Sequence, residues 1–325
     1  SVKQLECIMQ KIKCTFNFHG DMETSMEMNP GTASKEKCRA LYQMGINRLS
    51  IGLQSTNDME LKTLGRIHSY EDFLNTYTWC REAGFQNINV DLMAALPYQT
   101  VESYTTGLRK IIRLAPEHIS AYSLILEEGT PFYQKYNSGC YPLPDEEQER
   151  LMYRETEQIL AQAGYERYEI SNYAKKGYAC RHNLVYWQGG DYLGLGLGSS
   201  SYMDDVRFHN TTDLDTYVNQ GAYVEDREEL SVQAKMEEFM FLGLRVMAGV
   251  SGTEFEKRFG KTMEDVYGDV LRKHEEEGLL QIERKEDRKE AAAAEPAKGK
   301  TNIEKVMLTT NGVDVSNYVF ADFLL

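Results

Sequence analysis

Apolar residues in the first 125 positions switch repeatedly between two spacings. Leu5, Ile8, Met9 and Ile12 share one face of a helix predicted over 5–16. A short strand-like run, Ser25–Pro30, follows and ends at Pro30-Gly31. Ser34 can cap a helix that runs to about Met44 and stops at Gly45. Strands are predicted over 47–55, 87–96 and 118–126, with helices over 70–83 and from Val101 to about Ile112 between them. Strands and helices alternating at this pace mean βα units on a parallel sheet, open or closed into a barrel. In either form a ligand would sit at the C-terminal ends of the strands.

The pattern changes after residue 140. A helix over 145–163 precedes a strand predicted over 165–173, then a stretch rich in Gly and aromatic residues from Asn183 to Tyr202. Its Gly-Leu alternation around 193–198 reads as a strand whose backbone is approached closely, because no phosphate-loop spacing is present. Beyond Glu228 come helices at about 232–247, 253–259 and 263–277, strands at 279–283 and 303–308, and a short final helix from Gly312. Three helices and a hairpin make a winged-helix pattern. Charged low-complexity sequence over 284–302 interrupts the hairpin and is expected to be a mobile insertion.

Charge alters this picture in one respect. Lys and Arg number 36 against 50 Asp and Glu, a formal −14. The helix at 263–277 is itself acidic, so nucleic acid is not an expected partner. No apolar run reaches the ~18 residues of a membrane span and no signal peptide is visible, so a cytoplasmic location is expected. The six cysteines (7, 14, 38, 80, 140 and 180) show no C-x-x-C spacing and read as reduced thiols.

Four polar residues fall at or near predicted strand ends: Glu27, Gln54, Asp91 and, after a helix, Arg66. Each alone is as well explained by a structural ion pair. Four on successive βα units point to a ligand site whose chemistry suits a zwitterionic nucleoside, carboxylates meeting ammonium or ribose hydroxyls and Arg clamping a carboxylate. A second cluster, Cys180-Arg-His-Asn-Leu-Val-Tyr-Trp187, gathers an imidazole, an amide and two aromatic rings. It can be a heme-ligating group or simply a satisfied histidine beside a core tryptophan.

These residues resemble a known family. Glu27-Met-Asn-Pro-Gly31, Asn47–Ser55, Leu64-Gly-Arg-Ile-His68 and Asn89-Val-Asp-Leu-Met93 with Leu96-Pro97 are similar to the radical S-adenosylmethionine (SAM) proteins of the oxygen-independent coproporphyrinogen III oxidase group. Within that group, Glu169–Tyr173 and His182-Asn-x-x-Tyr-Trp187 resemble the HemW family of heme chaperones, as does the ending Leu308–Phe320. The resemblance implies an α/β fold: a partial (β/α) radical SAM-type barrel over 1–140, an extension carrying the heme motif over 141–227, and a C-terminal winged-helix-like α+β domain over 228–325. It implies that Glu27, Gln54, Arg66, Asp91 and Met93 contact SAM. It implies that His182 meets heme iron, with Asn183, Tyr186 and Trp187 completing the motif. The implied work is to hold heme and pass it to an apoprotein. The implied cofactors are SAM, heme and a [4Fe–4S] cluster.

The chain departs from the pattern in places. The cluster motif C-x-x-x-C-x-x-C is absent, so the barrel is expected to lack its first strands and the cluster its ligands. The usual Gly before Leu96-Pro97 is Ala95, and Ser199-Ser200 stand where many relatives have Ala-His. An edge left at Ser25–Pro30 implies a tendency to dimerise. Two alternatives stand beside the chaperone: a coproporphyrinogen-oxidase-like enzyme, and an inactive interaction protein. Peripheral membrane association is compatible with each.

Overall fold

Four strands of the first half run parallel: β1 (Ser25–Met28), β2 (Arg48–Gln54), β3 (Ile88–Ala94) and β4 (His118–Ser123). The computed structural model describes residues 1–221, 223–285 and 303–325. They form two compact units, Ser1–Ala179 and Cys180–Leu325, so residues 141–227 are divided between the two. With β5 (Glu166–Glu169) and β6 (Asn172–Ala174), the sheet of the first unit has the order β1-β2-β3-β4-β6-β5 and is open among the described residues, not a closed barrel.

The pleat sorts this sheet into two chemically different faces. Met28, Ile51, Val90, Ile119 and Tyr173 stand in one row across neighbouring strands, and all are buried. Helices Lys35–Gln43, Tyr70–Ala83, Val101–Arg113 and Glu146–Gln162 bring the apolar partners of this core, among them Leu41, Phe73, Leu108 and Leu160. Each fully buried side chain of this kind contributes roughly 1.5–3 kcal/mol. The opposite face carries the rows Glu27, Ser50, Asn89, His118 and Gly52, Asp91, Ser120, Asn172. Alternation thus puts the apolar set on the helices and the polar set on the other side. Each helix starts at a side-chain cap, Ser34 on Lys37 N and Ser69 in a capping box with Asp72.

The single strand expected over 165–173 is two: β5 (Glu166–Glu169) and β6 (Asn172–Ala174), antiparallel. The Arg167 guanidinium Nε donates to the Ile170 carbonyl at 3.1 Å, and the Glu169 carboxylate turns back to accept from Ser171 N–H and the Asn172 amide. A buried carboxylate taking its donors locally is what bends the chain.

In the second unit the helix Arg181–Trp187 precedes a three-stranded antiparallel sheet absent from the sequence reading: β7 (Ser200–Met203), β8 (Val206–Asn210) and β9 (Val224–Glu229). β7 and β8 are joined by Asp204-Asp205, both left-handed (φ 52° and 64°), a two-residue hairpin turn. The Gly-Leu run is not a strand. It makes one bridge, Tyr192 to Tyr202, and then turns. Close approach does occur at Gly194, where a Cβ would stand 2.2 Å from the Ser200 carbonyl oxygen.

Helices Val232–Gly243, Gly252–Phe259 and Met263–Glu276 pack with β10 (Val250–Ser251), β11 (Leu280–Arg284) and β12 (Ile303–Leu308), in the order β10-β12-β11. Phe255 is fully buried among the rings of Phe239, Phe259 and Tyr267. The chain ends in two short helices, Thr310–Asp314 and Ser316–Ala321, rather than one. The insertion expected at 284–302 lies, from residue 286 onward, outside the described residues.

Candidate functional site

The polar face of the first unit brings its sequence-derived residues together at the strand ends. Glu27 is exposed on β1, and its charge reaches both Asp91 on β3 and Tyr122 on β4. Gln54 ends β2 in a left-handed conformation (φ 66°), which is strained for a side chain of this kind. Its amide is buried, and Oε1 has no hydrogen-bond donor among the described residues. A Cβ on Gly52 would lie 2.9 Å from Gln54 Nε2, 3.4 Å from Arg66 Nη2 and 3.4 Å from Asn29 Oδ1. Glycine therefore lets three polar heads converge over the backbone of β2. Met93, half-buried, stands in register with Tyr122.

Beneath this surface lies a buried network. Asn89 Nδ2 donates to Asp91 Oδ1 at 2.6 Å and to Ser50 Oγ at 2.8 Å. Its Oδ1 accepts from His118 Nδ1 at 2.6 Å and from Ser120 Oγ at 3.1 Å. Asn89 Oδ1 can only accept, so His118 carries a proton on Nδ1; its Nε2 meets the Tyr168 hydroxyl at 2.8 Å. Burial drives the His118 pKa well below its ordinary value, and the charge of Arg48 adds to that. Burial also raises the Asp91 carboxyl, against hydrogen bonds from Asn89, Ser120 and Ser50 that lower it. Tyr122 is pushed up by burial and then by Asp91, while Gln54 and Arg66 pull it down. Tyr122 thus sits among all the charged candidates. Sequence reasoning missed it, although its place two residues beyond Ser120 on the polar side was available from the alternation.

A second buried carboxylate ties the strand ends to one another. Glu60 accepts from Ser55 Oγ at 2.5 Å and Gln99 Nε2 at 2.9 Å, and Gln99 also reaches the Met93 carbonyl and Leu96 N–H. This holds the segments following Gln54 and Met93 side by side. Between them Ala95 is left-handed (φ 57°). An alanine pays for that conformation in Cβ sterics, about 1–2 kcal/mol, against a smaller entropic gain over glycine. Ala95→Gly is therefore expected to raise unfolding stability by about 0.5–1 kcal/mol in urea titration; a loss of stability would show that the turn is not strained.

The donor set fits a nucleoside ligand carrying both charge signs: an orphaned buried acceptor at Gln54, carboxylates at Glu27 and Asp91, and the Arg66 guanidinium. It does not extend to an iron–sulfur cluster. Cys7, Cys14 and Cys140 are exposed, Cys38, Cys80 and Cys180 are buried, and no group of three metal-ligating side chains gathers among the described residues. Cys38 and Cys80 meet at 3.6 Å in the core, where the Cys80 thiol is raised by its hydrogen bond with Cys38 and by burial.

In the second unit the motif His182, Asn183, Tyr186, Trp187 occupies the seven-residue helix Arg181–Trp187, and the helical repeat divides it. His182 and Tyr186, one turn apart, meet edge to face with ring centroids 4.8 Å apart. Tyr186 continues to Tyr192 at 4.5 Å, and burial raises its hydroxyl pKa, with Tyr192 adding to it. His182 is exposed, as are Val185, Leu193, Leu195 and Leu197. Asn183 and Trp187 lie on the neighbouring stripe. The indole stacks beneath the Arg245 guanidinium at 4.4 Å instead of joining the His182 rings. The structure does not gather all four motif residues at one point.

Comparison with known proteins agrees with this division of the chain. Residues 3–111 match the model of the radical SAM superfamily, and residues 230–286 that of the HemN C-terminal domain. The chain is 34% identical to the heme chaperone HemW of Lactococcus lactis, over all of this chain and 81% of that protein. It is 36% identical to HemW of Bacillus subtilis, over 86% of this chain and 75% of that one. The crystal structure of coproporphyrinogen III oxidase (HemN) from Escherichia coli superposes with a TM-score of 0.81 at 20% identity, covering 100% of this chain and 74% of that one, which speaks for the fold. With a parallel sheet, a HemN-like fold and relatives of this identity across its length, the chain belongs to the HemW family of the radical SAM superfamily.

Proposed function

We propose that this chain is a heme carrier that holds heme at the His182 face and passes it to a heme-requiring apoprotein. The observation that carries the reading is the exposed His182 ring set edge-on against Tyr186, whose ring meets Tyr192 in turn, with exposed apolar side chains at Val185, Leu193, Leu195 and Leu197 in the same unit. An imidazole nitrogen can ligate heme iron, and the apolar surround suits the flat faces of a porphyrin. Tyr186 restricts the ring's orientation, so less freedom is lost when iron binds.

Glu27, Gln54, Arg66, Asp91 and Met93, joined by Tyr122, make the SAM-contacting set in this reading. Arg66 meets the carboxylate of the amino-acid end, Glu27 and Asp91 its ammonium or the ribose hydroxyls, and Met93 the adenine. The reading includes a cytoplasmic location. No helix among the described residues is long and apolar enough to cross a membrane. The test of transfer is to load the protein with heme, mix it with apomyoglobin and follow the Soret band. Loss of the iron ligand should speed release, so heme is expected to appear in myoglobin faster from a His182→Ala protein loaded to the same level than from the parent; equal rates would remove the role of His182 in holding heme.

A further inference from the structure

A cavity of about 340 Å³ lies within the second unit, behind the helix that carries His182. Its apolar part is Trp187, Phe239, Val246 and Val250, and its mouth bears Arg258 and Glu254. A cavity of ~150 Å³ holds benzene, so this volume takes about two fused rings and not a whole tetrapyrrole. Trp187 Nε1 is buried, and no acceptor for it exists among the described residues. A buried N–H without an acceptor is costly, and a ligand oxygen would satisfy it.

The charges at the mouth narrow the ligand class. Lys235 and Glu238 also line the cavity, but each has a partner: Lys235 pairs with Asp205 at 2.6 Å and Glu238 with Arg207 at 2.9 Å. Arg258 has no hydrogen bond or ion pair among the described residues; it makes a ring contact with Phe259, and its charge is felt at Asp205 and Tyr202. Glu254 stands four residues before it, in the order that favours a helical ion pair, yet none forms. Arg258 Nη1 is 3.5 Å from where a Cβ of Gly189 would be, which places the guanidinium close to the end of the Trp187 helix. One unused cation, one unused carboxylate and one orphaned donor thus surround an aromatic-lined space.

We propose that this cavity binds a small aromatic zwitterion of the class of aromatic α-amino acids, separately from the His182 face. The ring enters against Phe239 and Trp187, the carboxylate takes Arg258 and the Trp187 N–H, and the ammonium takes Glu254.

The test is isothermal calorimetry on the full chain with L-tryptophan, tryptamine and indole-3-propionate as probes. L-tryptophan is expected to bind saturably and more tightly than either analogue. Arg258→Ala should weaken L-tryptophan and indole-3-propionate about tenfold and leave tryptamine unchanged, since a hydrogen bond to a charged group is worth about 1.5–3 kcal/mol. Glu254→Gln should do the converse. Both side chains are at the surface, so the variants keep the fold. His182→Ala should leave all three affinities unchanged, which separates this site from the heme reading. No saturable L-tryptophan binding at millimolar concentration, or an L-tryptophan affinity left unchanged by both Arg258→Ala and Glu254→Gln, would overturn the proposal.

Discussion

Asn89→Leu is expected to cost about 3 kcal/mol or more of unfolding stability, the largest loss foreseen for any single change on the polar side of the sheet. Asn89 is 2% exposed, and its amide serves four partners at once: Asp91, Ser50, His118 and Ser120. Leucine keeps the volume and removes every bond. The partners stay buried, and each buried polar group left unsatisfied costs about 1–3 kcal/mol. Some recover by re-pairing, as Ser50 can with Asp91 at 3.4 Å, so the sum falls well short of four full penalties. Urea titration at neutral pH reads the change. A double variant with His118→Leu should lose less than the two single losses combined, by 1 kcal/mol or so, because the two share one bond. A loss under 1 kcal/mol for Asn89→Leu would mean that the network is already solvated.

His118 should make stability fall as the solution is acidified below about pH 6.5. Its folded pKa is depressed, by burial first and by Arg48 second. The sign follows: in the unfolded chain the ring takes a proton near its ordinary pKa of ~6.5, while in the folded chain it stays neutral to a much lower pH. Its contribution is therefore complete above pH ~6.5 and is lost progressively as the pH falls towards the folded value. The slope for one proton reaches about 1.4 kcal/mol per pH unit. His68, also depressed mainly by burial, acts in the same direction. Asp91 acts oppositely, since a raised carboxyl adds stability at low pH and gives it up as the pH rises through the folded pKa. Comparing the protein with His118→Gln between pH 7 and pH 5 isolates the one ring. The difference in stability should shrink steadily across that window; a difference independent of pH would show that His118 titrates normally.

The hydrophobic spacing made most of the first unit legible, because strand alternation and helix caps are local signals. Ser34 and Ser69 cap the helices they precede, and β2, β3 and β4 fall inside their predicted runs. Glu27, Asp91 and Met93 lie on β1 and β3, Gln54 ends β2, and the Arg66 guanidinium reaches over Gly52. What stayed hidden depended on three-dimensional partners. Asn89 and His118 look like ordinary strand polar residues until the register sets them side by side. The β5–β6 hairpin turns on the Glu169 carboxylate finding donors two and three residues on, which no periodicity announces. Trp187 is adjacent in sequence to Tyr186 but lies a helical step away, against Arg245.

The central claim is that His182 holds heme iron. It is tested most directly by titrating heme into the reduced protein and into His182→Ala and recording the Soret band. The account predicts a shifted, saturable Soret band for the protein and a displaced or much weaker one for His182→Ala, with Trp187→Phe close to the parent because the indole packs against Arg245. Identical Soret spectra for the parent and His182→Ala would contradict it.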